Sequence, residues 1–245
     1  MPTDALLDRF LTGLAVLAPV AVWAHGSLAG GDYQEGRSDL DLIAVLEHPL
    51  RLSTVRRAVV LHRALRAEPL AAGLHCSYLT TTTLGDADHQ HLTWAHNRVM
   101  RRTVTPVTRR ELHVFGRVLH GRSPAELLPP VPDRELDDFV VRDQREFWRP
   151  AVRKPHLWKQ DAWVDLGLMT FARATVTLRE GRLISKRESL DLLPGLGAPV
   201  EVVEDIRRRR YSDPPPPAPE WTARRSGLTR SYLGPAIDAL VTAYG

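Results

Sequence analysis

The chain has 245 residues, which is enough for one large domain or for two smaller domains with separate cores. Its apolar fraction of 43% and charged fraction of 25% are ordinary for a globular protein, and they exclude a wholly disordered chain. The formal charge of +4 is modest for this length and the arginines are scattered, so the sequence does not predict a nucleic-acid-binding surface.

Cysteine content and hydropathy indicate the cellular compartment of the protein. Cys76 is the only cysteine, so no internal disulfide can form. The sequence contains no run of 18 apolar residues. The apolar stretch 10–24 follows Asp4 and Asp8 and not a basic segment, which is not typical of a signal peptide. We expect a cytoplasmic protein that does not bind membranes, and we also expect it to be a monomer.

In the first half of the chain, predicted helices alternate with predicted strands. Apolar residues at helical spacing and runs of β-branched residues predict these elements. In chain order they are a helix over 3–17, strands over 20–24 and 40–46, a helix over 53–67 and a strand over 74–81. The histidine-rich segment 86–102 receives no assignment, and 111–120 is predicted as a short helix or strand.

A proline-rich segment over 123–132 marks the best domain boundary, because clustered prolines stiffen linkers. After it the pattern is helical, with Gly181 placed to end the second helix of the series. Helices are predicted over 134–148, 162–179, 185–193 and 232–244, and Arg207–Arg210 are predicted to be a solvated helix end before the prolines at 214–217. We therefore predict an α/β domain over 1–128 with a small mixed sheet, followed by an all-α domain over 129–245.

Two carboxylates begin the second predicted strand, in the segment Asp39-Leu40-Asp41-Leu42. Alternate residues of a strand point to the same face, so Asp39 and Asp41 should project together. Two neighbouring carboxylates repel each other and are costly to bury. A Mg²⁺ ion removes that cost, because it is usually held by one or two carboxylates together with substrate phosphates.

Gly26 and Ser27 directly follow the first predicted strand. Glycine allows the backbone to approach a ligand closely, and a serine hydroxyl with nearby amides can hold a phosphate. The loop to Asp39 contains three further glycines, which suits a chain that must fold back to the second strand. The combination predicts a site for Mg²⁺ and a nucleotide.

The arrangement Gly26-Ser27, a loop, and then Asp39-x-Asp41 in an apolar strand resembles the signature of the polymerase-β-like nucleotidyltransferases. More narrowly, the chain resembles the aminoglycoside adenylyltransferases that modify streptomycin and spectinomycin. Those enzymes join a nucleotidyltransferase domain to a helical domain across a proline-rich junction. Their helical domain carries an arginine followed by Gly-x-x-x-x-Lys, which matches Arg173 and the segment from Gly181 to Lys186.

This resemblance implies roles for the matching residues. Asp39 and Asp41 would bind Mg²⁺, Gly26 and Ser27 would contact the phosphates of ATP, and Arg173 and Lys186 would contact the triphosphate from the helical domain. The implied activity is Mg²⁺-dependent transfer of AMP from ATP to a hydroxyl of a small molecule, with an aminoglycoside-like antibiotic as the acceptor and antibiotic resistance as the outcome. Lys186 is one of only three lysines among 33 basic residues, which singles it out independently.

The acceptor site is less well matched. In the resembled enzymes a tryptophan and acidic side chains line that site, and the corresponding residues here are Trp148, Trp158, Asp161 and Asp165. The same region carries Arg153, Lys154 and Lys159, which would repel a polycation. Tryptophans at this density also suit a hydrophobic core.

The strand after the aspartate pair departs from the family pattern. The resembled enzymes have a glutamate there as the catalytic base, and the matching residue is His75. His75 can be the base, because an imidazole titrates near neutral pH. Alternatively an acid from elsewhere, such as Asp86, Asp88 or one in the helical domain, supplies this function, or His75 is only a half-buried strand residue.

Three functions therefore stay open for this site. The first is adenylyl transfer with His75 as a catalytic residue. The second is a nucleotide-binding regulatory protein, or a weak enzyme, that lacks the third acidic residue. Transfer to RNA or to a protein side chain is a third possibility, supported only by the basic pI of ≈ 9.6.

Overall fold

A computed structural model describes all 245 residues of the chain. The chain divides into two compact units, Met1–Val131 and Pro132–Gly245, so the division falls within the proline-rich segment. The first unit contains a mixed sheet with helices, and the second is entirely helical, which confirms the predicted fold class. No helix is both long enough and apolar enough to cross a membrane.

The N-terminal unit is built on six strands and five α-helices. The strands are β1 (Pro19–Ala24), β2 (Leu40–Leu46), β3 (Leu74–Thr80), β4 (His91–Ala95), β5 (Arg98–Arg102) and β6 (Arg117–Gly121). The helices are α1 (Pro2–Leu14), α2 (Gly26–Ala29), α3 (Leu52–Ala64), α4 (Pro106–Phe115) and α5 (Pro124–Leu127). The sheet order is β5-β4-β3-β2-β1-β6, with β2 and β3 parallel and every other pair antiparallel.

The central strands are apolar on both faces, and each face packs against helices. Leu40 and Leu42 of β2 join one core with Phe10 of α1. Ile43 joins a second core, on the opposite face, with Leu112 of α4. Because side chains alternate along a strand, Asp41 shares the face of Ile43 and α4.

The histidine-rich segment contains the β4–β5 hairpin, which the sequence did not predict. His96 and Asn97 form its turn, with φ values of 51° and 59°. Positive φ at both central residues is the geometry that matches the twist of a two-residue hairpin. Every residue of β5 except Met100 is exposed, so this edge strand lacks the apolar alternation that marks a strand in a sequence.

The C-terminal unit contains six α-helices. They are α6 (Asp133–Asp143), α7 (Arg149–Val152), α8 (Asp161–Glu180), α9 (Lys186–Leu192), α10 (Val200–Tyr211) and α11 (Pro219–Tyr244). Gly181 ends α8 with a φ of 67°, as the sequence predicted. The prediction of the last helix was wrong at its start, because α11 begins at Pro219 and not at 232.

Buried ion pairs explain why the first half of α11 was missed. Arg225 of α11 is fully buried and donates a 2.9 Å hydrogen bond to Asp205 of α10. Arg209 binds the same carboxylate at 3.0 Å. The prediction of a solvated end for Arg207–Arg210 was therefore wrong for Arg209, whose side chain is only 13% exposed.

Candidate active site

Asp39, Asp41 and His75 lie together at the start of β2 and β3. Asp41 is directly opposite His75 in the parallel ladder. His75 Nδ1 lies 3.5 Å from Asp41 Oδ1, and His75 Nε2 lies 3.8 Å from Asp39 Oδ1. The imidazole therefore spans the two carboxylates, which places all three side chains on one face of the sheet.

The three side chains differ in how much of their surface is exposed to solvent. The side chain of Asp39 is 53% exposed and that of Asp41 is 34% exposed, whereas that of His75 is 8% exposed. His75 Nε2 is buried and makes no hydrogen bond. A solute can thus reach both carboxylates, while a buried polar nitrogen beside them has no protein hydrogen-bond partner.

Two glycines leave room beside the carboxylates. Gly26 has a φ of 62°, and a Cβ atom built there would lie 2.8 Å from Asp41 Oδ2. A Cβ atom at Gly73 would lie 3.4 Å from Asp39 Oδ1. Gly26 is therefore required both by its backbone conformation and by its closeness to Asp41.

The loop from Ser27 to Asp39 is held in place by hydrogen bonds. His25 N–H donates to the Asp41 carbonyl at 3.0 Å, which fixes the Gly26–Ser27 segment against β2. Asp32 N–H donates to the Ser27 carbonyl at 3.0 Å. Thr3 of α1 donates to Glu35 at 2.6 Å, which ties the loop to the first helix. The Gly-Ser pair and the aspartate pair are thus brought together, and their binding of a nucleotide and Mg²⁺ remains a prediction.

A buried pair of side chains that no sequence motif marks supports this segment. His25 Nδ1 lies 3.5 Å from Glu111 Oε2 of α4, and both side chains are largely buried. Burial lowers the pKa of His25, but the hydrogen bond to Glu111 and the charges of Asp41 and Glu111 outweigh it, so the pKa is raised overall. No local pattern marks Glu111, because its partner is distant in the sequence.

The groups around His75 include a second histidine but neither Asp86 nor Asp88. The ring of His96 packs edge-on against the ring of His75, with centroids 4.6 Å apart. Burial lowers the pKa of His96, and the charges of His75 and Arg102 lower it further. Asp86 and Asp88 are exposed in the connection from β3 to β4, at the opposite end of β3 from His75. They do not replace the acid that β3 lacks.

The carboxylates at this site can supply only some of the ligands that Mg²⁺ needs. No group of three or more His, Cys, Asp or Glu side chains is arranged to hold a metal ion by itself. Two exposed carboxylates on one face, with open space beside each, are nevertheless the protein share of a site that substrate phosphates and water complete. Asp39 and Asp41 are therefore the residues that would hold Mg²⁺.

In the C-terminal unit, Arg173 and Lys186 belong to one local structure. Arg173 Nε donates to the Ile184 carbonyl at 3.0 Å, so this α8 side chain holds the loop between α8 and α9. Ser185 caps α9, and Lys186 is the first residue of that helix. The arginine and the Gly-x-x-x-x-Lys segment therefore meet at this loop, and their contact with a triphosphate remains a prediction.

The predicted acceptor residues are integrated into the packing of the C-terminal unit. Trp148 and Trp158 are buried, and Trp158 Nε1 donates to the Ala151 carbonyl at 2.8 Å. Asp165 accepts two hydrogen bonds from Arg209, and Asp161 forms an ion pair with the buried Arg225. These contacts give each residue a structural role, and acceptor binding by them remains a prediction.

Comparison with known proteins identifies the fold. No protein-family model matches the sequence, and a search of curated proteins finds no match. The crystal structure of the spectinomycin adenyltransferase AAD(9) from Enterococcus faecialis, solved with ATP and spectinomycin, matches with a TM-score of 0.74 at 15% sequence identity. The match covers 96% of this chain and 99% of that one. The chain therefore has the fold of an adenyltransferase along almost its whole length.

Proposed function

We propose that the protein is a nucleotidyltransferase that moves AMP from ATP to a hydroxyl of a small molecule. The observation that carries this proposal is the cluster of Asp39, Asp41 and His75 beside Gly26-Ser27, on a fold that a known adenyltransferase shares. That adenyltransferase was solved with ATP and spectinomycin, so aminoglycoside-like antibiotics are the first acceptors to test.

In the proposed step, the acceptor oxygen forms a bond to the α-phosphorus of ATP. The bond from that phosphorus to the bridging oxygen of the β-phosphate breaks, and pyrophosphate leaves with the electron pair. The hydroxyl proton passes to His75, whose Nδ1 lies 3.5 Å from Asp41 and can be oriented by it. Mg²⁺ held by Asp39 and Asp41 would neutralise charge on the phosphates.

Four residues are proposed to contact the nucleotide. Gly26 allows the backbone to approach a phosphate closely, and the hydroxyl of Ser27 can hold it. Arg173 and Lys186 supply positive charge for the triphosphate. Each of these contacts can be tested by the affinity for ATP in the presence of Mg²⁺.

Replacing His75 tests the proposed base. His75→Ala should lower kcat by roughly 10²–10⁴-fold, because a positioned general base contributes about that much. The Kd for MgATP should change little, since Asp39 and Asp41 remain. His75→Glu should recover much of the rate, because it restores the acid that the resembled enzymes carry there. Pyrophosphate release and calorimetry measure the two quantities.

One observation favours a second function, which is nucleotide binding without turnover. β3 contains no acidic residue, and neither Asp86 nor Asp88 reaches the site. If MgATP binds tightly and no acceptor releases pyrophosphate, this second function is correct. If pyrophosphate is released and His75→Ala releases it at the same rate, the assignment of His75 as the base is wrong.

A further inference from the structure

The N-terminal unit contains a cavity beside the proposed site whose lining identifies a class of acceptor. It has a volume of ≈ 150 Å³ and is bounded by β2, β3, β4, the end of β5 and the segment that leads into α4. At about 30 Å³ per water molecule, this is room for about five waters. A phosphate or carboxylate on a short hydroxylated chain fits such a space.

Charge is distributed unevenly around this cavity. Asp41 is the only carboxylate in its lining, and Arg102 is the only arginine or lysine there. Arg102 carries a permanent positive charge. Arg102 lines the same cavity as His75, so its charge lies near the site. With Mg²⁺ bound to Asp39 and Asp41, the guanidinium of Arg102 would attract an anion and repel a polycation.

Hydroxyl groups form the rest of the polar lining. Ser77 Oγ and Thr93 Oγ1 lie 2.9 Å apart on the floor of the sheet, and Thr108 lines the cavity from α4. Each hydroxyl can donate one hydrogen bond and accept two. Such groups are suited to an acceptor that carries several hydroxyls of its own.

One buried atom points to a ligand independently of the charges. His75 Nε2 is shielded from solvent and has no hydrogen-bond partner in the protein, although buried polar atoms are almost always paired. The side chain of His75 is 8% exposed and lines the cavity. A hydroxyl or an anionic oxygen in the cavity would give this nitrogen a partner.

We propose that this cavity binds the acceptor, and that the acceptor is a small polyhydroxyl molecule bearing a phosphate or a carboxylate. The inference rests on the proposed nucleotidyl transfer and narrows its acceptor. A hydroxyl of such a molecule would lie beside His75, with its anionic group near Arg102. The acceptor of this protein would then differ in charge from spectinomycin.

Calorimetry with four probes tests the acceptor class. The full chain is saturated with Mg²⁺ and a non-hydrolysable ATP analogue, and glycerol 3-phosphate, glycerate, glycerol and spectinomycin are titrated separately. The two anions should bind at least roughly tenfold more tightly than glycerol, because hydrogen bonds to charged groups are worth about 1.5–3 kcal/mol. The two anions together distinguish a phosphate site from a carboxylate site.

Two neighbouring arginines of β5 provide a matched pair of variants. Arg102→Gln should raise the Kd of the better anion roughly tenfold, for the same reason. Arg101→Gln should leave that Kd within about twofold, because Arg101 is exposed, lies outside the cavity and donates to the Gln90 carbonyl. Both positions are exposed, so both variants should fold, and circular dichroism checks this.

Three results would overturn the inference. They are anions that bind no better than glycerol, spectinomycin that binds more tightly than either anion, and equal effects of Arg102→Gln and Arg101→Gln. An Arg102→Gln variant that weakens only MgATP binding would assign Arg102 to the nucleotide and also overturn it. The proposed function is judged separately, by MgATP binding and by pyrophosphate release with any acceptor.

Discussion

Space left open by glycine determines where the Asp41 carboxylate can lie. Gly26 adopts a φ of 62°, and a methyl group there would fall 2.8 Å from Asp41 Oδ2. Gly26 is therefore favoured for two separate reasons, its backbone conformation and its close contact with Asp41. Gly31 in the same loop has a φ of 75°, but no atom lies within 4 Å of the place that a methyl group would occupy there. Substitutions at these two glycines can therefore separate the effect of backbone strain from the effect of contact with Asp41.

We predict that Gly26→Ala weakens Mg²⁺-dependent ATP binding by roughly 10–100-fold, the usual cost of disturbing groups that orient a metal ligand. The added methyl must displace the Asp41 carboxylate, whose end can move, so the loss should fall mainly on binding. Calorimetry with MgATP measures it. Gly31→Ala is the control, because it carries the left-handed strain of about 1–2 kcal/mol without the contact. Equal losses of ATP affinity in both variants would contradict the role of the contact.

At the residue scale, the parts of the site that depend on a local pattern can be predicted from the sequence. The alternation of a strand was enough to place Asp39 and Asp41 on one face, and the structure brings His75 between them. Glu111 could not be identified in this way. Its role depends on His25, which lies on a different element and is brought near only by the packing of α4 on the sheet.

Among the elements, long apolar strands and helices were predicted and polar ones were missed. β2 was predicted with its observed bounds because every residue after Asp41 is apolar and buried. β5 was missed because it is an arginine-rich edge strand. The helix α10 was anticipated only at its arginine end, and the first half of α11 was missed because it carries Arg225, whose burial depends on a distant carboxylate.

Helix α8 packs closely against the ring of Trp158 at Gly167. A methyl group at Gly167 would lie 2.6 Å from the ring of Trp158, which is fully buried. Gly167→Ala should therefore lower the free energy of unfolding by about 1–2 kcal/mol, since overpacking costs about 1–3 kcal/mol and outweighs the gain in helix propensity. Urea unfolding followed by tryptophan fluorescence measures this change.

Gly227 in α11 is the matched control for that substitution. No atom lies within 4 Å of a methyl group built there. Gly227→Ala should raise the free energy of unfolding by about 0.5–1 kcal/mol, because alanine is the better helix former. If Gly167→Ala is stabilising, Trp158 can move aside. The close packing of α8 on that ring would then contribute nothing to the free energy of unfolding.

For the molecule as a whole, buried histidines link stability to pH. His62 of α3 is buried, stacks on Trp94 with centroids 4.8 Å apart, and its Nε2 lies 2.9 Å from the Tyr78 hydroxyl. Burial, together with a smaller effect from the charge of His75, lowers the pKa of His62 to about 3. The folded state therefore holds His62 neutral, whereas the unfolded chain protonates it below its ordinary pKa of about 6.5.

The sign of the pH effect follows from this difference in proton binding. Between the folded pKa and about 6.5 the unfolded state binds more protons, so the free energy of unfolding falls as the pH falls. The contribution of His62 is complete above about pH 6.5 and is lost toward pH 3, at up to about 1.4 kcal/mol per pH unit. Urea unfolding at pH 7.5, 6.0 and 5.0 should show this loss.

His62→Gln should flatten the pH dependence, because glutamine keeps a polar group near Tyr78 and cannot titrate. Its stability at pH 7.5 should be lower, since the stacking on Trp94 is lost, so the slope with pH and not the absolute value is the quantity to compare. His48→Gln is the control, because His48 is exposed after β2 and its substitution should leave the slope unchanged. An unchanged slope in His62→Gln would mean that carboxylates and the other histidines account for the acid sensitivity of the fold.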